Sequence, residues 1–303
     1  MIRTCLTGLL LAALLGLPGM TPAAPAAESD LDRFMARVLA RRDENWRTLQ
    51  QYVLDEEERA SLTGPGGARL FGLTREYTWY IRDGIFVRSP VRFNGVALSE
   101  PERRAYEDRW ISRERERAER RDTRDGAPPE PPPATDVDSL VRLTREPQFV
   151  SAAYFLRFRF EPGHYAFAGP DEHAGRRVLK IEYYPSRLFE DDEKASNPSD
   201  EEARLQQQFN KVALVTLWVE PDSHQIVRYV FENLGFVFLP GRWLVRVDGV
   251  RALMEMGQPF PGVWLPERIE GRGSVTLASG TYDVHYAIRY HDYREAEVKA
   301  KVR

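Results

Sequence analysis

The polar and apolar positions of this chain change period several times. From Asp30 to Thr48, Leu31, Phe34, Met35, Val38, Leu39 and Trp46 recur at three- and four-residue spacing, which predicts an amphipathic helix. Ser29 stands ready to cap it, with Asp30 and Asp32 in its first turn. Beyond it the pattern turns to strands, Leu49–Arg59 and Arg69–Arg82, flanking the turn residues Gly64-Pro65-Gly66-Gly67. Asp83-Gly84 between Tyr77–Ile81 and Ile85–Val87 is a strong hairpin signal, and Asn94-Gly95 marks another turn. In the second half Tyr154–Glu161, Arg177–Tyr184 and Thr281–His291 alternate with period two, which predicts half-buried strands. Val212–Val219 is apolar on both faces, as a covered mid-sheet strand is. A helix is expected over Asp200–Lys211. Few helices among many hairpin-spaced strands predict a mainly β (α+β) fold, one curved antiparallel sheet wrapped on a helix or two.

One segment breaks this pattern. Ser99-Glu100-Pro101-Glu102 opens a helix with a capping-box signature that runs to about Asp122. Glu100–Asp125 carries nine acidic residues and nine arginines, against only Tyr106, Trp110 and Ile111 as large apolar groups. Such a helix is expected either as an exposed arm or docked through a short Tyr106/Trp110 contact. The run Ala127-Pro128-Pro129-Glu130-Pro131-Pro132-Pro133 reads as an extended spacer after it. Residues 99–134 are thus an insertion in a single domain expected over residues 28–303.

The first residues predict export. Arg3, the apolar run Leu6–Leu17 and the small, Pro-rich stretch Pro18–Ala27 with Ala24-Pro25-Ala26 form a signal peptide over residues 1–27. The alternative, an uncleaved anchor, needs about 20 apolar residues and the run is shorter. Cys5, the one cysteine, precedes the apolar run, so the mature chain has no thiol for a disulfide, nucleophile or metal. With 43 basic and 46 acidic residues, and Arg3 lost with the leader, the mature net charge is −4. That balance argues against nucleic acid as a partner and against more than peripheral contact with an anionic membrane.

Catalytic signatures are missing. There is no nucleophile elbow, phosphate loop or dinucleotide fingerprint; Gly271-Arg272-Gly273-Ser274 lies inside a strand pattern. His285 and His291 share a strand face but stand about 20 Å apart. His164 and His173, flanking Gly169-Pro170 with Glu172 nearby, are the one pair a hairpin could bring together for a metal, although their spacing fits no metal motif. His224 reads as a solvated turn residue, and Glu190-Asp191-Asp192-Glu193 as a solvated loop. No enzyme, cofactor or metal is expected.

Three stretches resemble a known family. Trp218-Val219-Glu220-Pro221-Asp222-Ser223 followed by Gln225-Ile226-Val227-Arg228 is similar to a hairpin of the bacterial LolA/LolB-like lipoprotein-localisation superfamily. Trp264-Leu265-Pro266-Glu267-Arg268 with Tyr290-His291-Asp292-Tyr293-Arg294 resembles its closing strands, and Asn94-Gly95 through Leu98-Ser99 resembles exported members. The resemblance implies an open half-barrel closed by helices, in the periplasm, with an apolar cavity for a lipid or lipoprotein acyl chain. The charged helix and Pro-rich spacer depart from the smaller carriers. If the sheet curls as implied, candidates for lining the cavity are Phe158, Phe160, Ile181, Trp218, Phe231, Val245, Tyr286 and Ile288. A filled core, with the charged helix docking an envelope protein, is the alternative.

Overall fold

The computed structural model describes residues 29–123, 137–138, 141, 151–184, 213–233 and 245–296. The expected leader, the Pro-rich spacer, the acidic loop at 190–193 and the helix over 200–211 lie outside these residues.

Helix α1 (Asp30–Leu49) starts where the spacing put it, and its cap is reciprocal. The Asp32 backbone N–H donates to Ser29 Oγ at 3.0 Å, while Asp32 takes the Ser29 N–H and hydroxyl. Its buried stripe is Met35, Val38, Arg42, Asn45 and Leu49, so two polar side chains occupy positions that the apolar pattern left unassigned.

Among the described residues, eleven strands form one antiparallel sheet: β1 (Tyr52–Thr63), β2 (Arg69–Arg82), β3 (Ile85–Phe93), β4 (Val96–Ala97), β5 (Tyr165–His173), β6 (Arg176–Tyr183), β7 (Ala213–Glu220), β8 (Gln225–Asn233), β9 (Val245–Phe260), β10 (Val263–Leu277) and β11 (Gly280–Glu295). Their order is β4-β3-β2-β1-β11-β10-β9-β8-β7-β6-β5. Two meanders therefore run outward from the centre and join where β1 pairs β11, leaving β4 and β5 as edges. Asp83-Gly84 and Asn94-Gly95 take the positive φ angles that tight hairpins need, which explains why those turns were legible. Bulges interrupt several ladders, including β9–β10, and bend a sheet this wide.

One face of the sheet packs on α1 and on the short helix α3 (Ala152–Arg157). That helix corrects the expected strand Tyr154–Glu161. Phe155 and Leu156 are consecutive and both fully buried. A strand would send one of them to the opposite face, whereas a single helical turn wedges both between α1 and the sheet. Phe158 and Phe160 continue from it in non-helical chain.

Helix α2 (Glu100–Thr123) packs along β3 through its first three turns. The Trp110 indole N–H donates to the Phe86 carbonyl at 3.1 Å, and its ring meets Trp79 edge-on at 5.6 Å. Tyr106 tilts against Tyr77 at 6.4 Å, so the short aromatic contact exists. Ile111 and Glu107 are also buried. Glu107 accepts from Arg82 at 2.8 Å and from the Ser89 hydroxyl at 2.5 Å, a charged anchor hidden within the run of charges. No helix among the described residues is long and apolar enough to cross a membrane.

Candidate functional site

The helix-facing side of the sheet is the concave face, and strand alternation decides which side chains reach it. Its two halves differ in chemistry. On β5–β8 it is aromatic. Phe158 meets Phe160 at 4.9 Å and Phe231 at 5.0 Å, and Phe160 meets Tyr183 at 4.9 Å, all edge-on. Tyr165 joins at 5.4 Å from Tyr183, and Phe155 closes on Phe231 at 5.0 Å. Edge-on rings bury area and add roughly 0.5–1.5 kcal/mol per pair. Phe158, Phe160 and Tyr165 are only half-buried, and Phe167, paired with the buried Ile181 on edge strand β5, is 55% exposed. Arg42 lies over this group: its guanidinium is 5.6 Å from the Phe160 ring centre and donates to the Phe158 carbonyl at 2.5 Å.

On β1–β3 and β11 the same face is ionic. Tyr52, Leu54, Glu56, Glu58, Ala60 and Leu62 alternate inward along β1, so two carboxylates sit in the buried stripe. Glu56 accepts from the Trp79 indole at 2.5 Å and from Arg88. Glu58 accepts from Arg75 Nε at 3.0 Å, from Arg88 at 2.5 Å and from the Tyr286 hydroxyl at 2.7 Å. The Arg88 guanidinium also lies 3.6 Å from the Tyr77 ring centre. Two carboxylates face two guanidiniums, a balanced charge.

Burial alone pushes the Glu58 carboxyl up, but Arg88 and Arg75 outweigh it and hold it below the usual carboxylate range. Burial pulls Arg88 down, and Glu56 with Glu58 raise it well above the ordinary arginine value. Burial first, then the Glu58 charge, push the Tyr286 phenol far up, so it remains a donor. Glu58 is therefore a fixed anion near neutral pH and not a proton-exchanging group. The arrangement is a pillar more than a reaction centre.

Of the eight candidate lining residues, Phe158, Phe160, Ile181 and Phe231 converge in the aromatic half. Tyr286 and Ile288 share the concave face but belong to the ionic half, opposite Ala60 and Glu58. Val245 opens β9, paired with Leu277. Trp218 is placed apart from the others. Leu217 and Val219 point inward and are fully buried, so Trp218 projects from the convex face. There its indole donates to Asp171 at 2.9 Å, and Arg228 lies 4.9 Å from its ring. A strand that is apolar on both faces does not reveal which side is inward.

The histidines are also placed. Gly169 and Pro170 pair with Lys180 and Leu179 inside β5, just past a bulge at Ala168, and the turn lies at Ala174-Gly175, so His164 and His173 are held at opposite ends of one strand, about 30 Å apart. His224 is no free turn residue: Arg37 Nε donates to its Nε2 at 2.9 Å and Phe34 packs on its ring. Among the described residues, Asp55, His291 and Asp292 bring ligand atoms within 4.8 Å on the convex face. Arg294 already holds Asp55 with bonds of 3.0 and 3.1 Å, and Thr78 adds a third. A guanidinium thus stands where a cation would bind.

No family model matches this sequence, and no curated protein does. Solved structures do. The chain is similar to an outer membrane lipoprotein-sorting protein domain from Vibrio parahaemolyticus, with 9% identity, a TM-score of 0.38, and coverage of 89% of this chain and 94% of that one. It is similar to a DUF1329 family protein from Desulfovibrio piger, with 11% identity, a TM-score of 0.40, and coverage of 89% and 95%. A third match is the MucA/MucB complex of Pseudomonas aeruginosa, with 10% identity, a TM-score of 0.20, and coverage of 87% and 94%. The likeness is one of fold. The function has to be argued from this chain's own residues.

Proposed function

We propose that this protein is exported to the periplasm and acts without catalysis, receiving the apolar chain of a lipid or lipoprotein on the aromatic half of its concave sheet. The observation that supports this is the group Phe158, Phe160 and Tyr165, interlocked but half-buried, beside the exposed Phe167 on an edge strand. Rings that contact each other edge-on can part for a methylene chain and regain contact with it, because dispersion is non-directional. Burying a methylene contributes about 0.8 kcal/mol. A dozen would offer nearly 10 kcal/mol before the cost of lost freedom. Micromolar affinity is consistent with that sum, and no charged contact is required for it.

A second reading has its own observation. Met35, Phe155, Leu156 and Ile181 have no exposed surface, as in a filled core. On that reading the protein is an envelope interaction module whose charged helix α2 meets a partner. Titration of the mature protein with a fluorescent fatty-acid analogue separates the two. The carrier reading expects saturable binding that Phe160→Asp abolishes and Trp218→Glu leaves intact. A folded protein with no saturable signal sinks it in favour of the interaction module.

A further inference from the structure

The floor of the aromatic half holds a polar group that the apolar chain does not need. Tyr229 lies on β8 facing inward, with 0% of its surface exposed, and its hydroxyl has no hydrogen-bond partner among the described residues. A buried hydroxyl left without a partner costs about 1–3 kcal/mol, so native interiors rarely keep one idle. Its ring packs edge-on against Phe155 at 6.1 Å, and Phe231, two residues on along the same face, is the ring that Phe158 meets.

Arg42 is the neighbouring charge. It sits on the sheet-facing stripe of α1, 8% exposed. Its Nε and Nη2 donate to Asp43 at 3.1 and 2.8 Å, and its Nη1 to the Phe158 carbonyl. A guanidinium has five N–H donors, so two remain unused. Arg42 joins the same ring group through Phe158, which meets Phe231, and Phe155 packs on both Phe231 and Tyr229; burial holds the Tyr229 phenol well above its ordinary range and thus in its donor form. The unpartnered Tyr229 hydroxyl and the two spare N–H groups of Arg42 thus border the same aromatic group, and these donors, beside a guanidinium that shares its charge with Asp43, suit a further anionic acceptor.

We infer that the apolar ligand carries a carboxylate head, as a free fatty acid does, received by the spare N–H donors of Arg42 and by the Tyr229 hydroxyl. This rests on the apolar-chain reading and adds the head-group chemistry to it. An esterified or amide-linked acyl chain would offer only a neutral carbonyl and satisfy the site less well. No bond is made or broken; the carboxylate exchanges its water for protein donors while the chain lies along Phe158, Phe160 and Phe231.

The test compares dansylated undecanoic acid with its methyl ester at pH 7.4, on wild type and Tyr229→Phe. Wild type is expected to bind the acid about tenfold more tightly than the ester, the scale of one charge-assisted hydrogen bond. Tyr229→Phe should narrow that preference to a few-fold, weakening the acid more than the ester. Its melting point should hold or rise, because the substitution removes a hydroxyl that makes no bond. Equal affinity for acid and ester, or a preference that Tyr229→Phe leaves intact, overturns the carboxylate and leaves the apolar-chain reading standing. A lowered melting point in Tyr229→Phe shows that the hydroxyl already has a partner, and overturns it as well. If neither probe binds, the apolar-chain reading falls and this inference with it.

Discussion

The two halves of the concave face are built on one sheet and solve opposite problems. On β1–β3 the inward positions carry Glu56, Glu58, Arg75 and Arg88, each holding directional bonds to specific partners. On β5–β8 they carry rings and aliphatic groups that touch without direction. Directional networks have one good arrangement and lose much when any member moves. Ring clusters have many nearly equal arrangements and lose little by shifting. The ionic half therefore fixes the sheet, and the aromatic half is where the sheet can yield. Helix α2 strengthens this division, because its Trp110 and Glu107 brace the ionic end.

The sharpest way to break the comparison is to remove Arg88. Arg88→Met leaves Glu56 and Glu58 short of a buried counter-charge, and about 3–5 kcal/mol of stability should go, read by urea denaturation. A loss under 1 kcal/mol would mean that water or an unseen group already compensates the carboxylates. Acid should do part of the same thing. The folded-state Glu58 carboxyl is held below its ordinary value of 4.5, so its contribution is present above that pH and is lost as pH falls through the lower folded value. The melting point of wild type should thus be level near neutrality and decline below about pH 4.5. Glu58→Gln should start lower and decline less steeply.

Trp110→Ala comes next. The ring is half-buried, so the loss should be about 2 kcal/mol, roughly half that of a core aromatic. Hydrogen exchange should rise between Glu100 and Ile111, while the helix beyond Arg113 exchanges fast in both proteins. The smallest effect belongs to Arg104→Ala. It removes an exposed pair with Glu100 at 2.7 Å and should leave the denaturation midpoint within error.

The sheet was legible because turns and alternation act locally. Asp83-Gly84 announces its hairpin, and Gly280–Glu295 alternates as an inward-outward strand must. The ionic half was hidden by its own composition. Asp55-Glu56-Glu57-Glu58 reads as solvated surface, yet Glu56 and Glu58 share parity with Leu54, Ala60 and Leu62. Arg75 and Arg88 likewise share parity with Tyr77, Trp79 and Phe86, a usable signal of charge within an apolar stripe. The short helix α3 was not legible, because its six residues run into Phe158 and Phe160, and Tyr154, Leu156, Phe158 and Phe160 together alternate as a strand would. Nor was the face of Trp218, since Val215–Val219 is apolar enough on both sides to satisfy either choice. Partners joined only by long-range register, such as Asp55 with His291 and Arg294, leave no local trace.

Hydrogen–deuterium exchange of the protein with and without saturating dansylated undecanoic acid tests the division of the concave face most directly. Protection should change over Ala152–Tyr183 and Ile226–Phe231, and stay constant from Tyr52 to Arg88. Changes centred on the ionic strands, or none at saturation, would contradict the account.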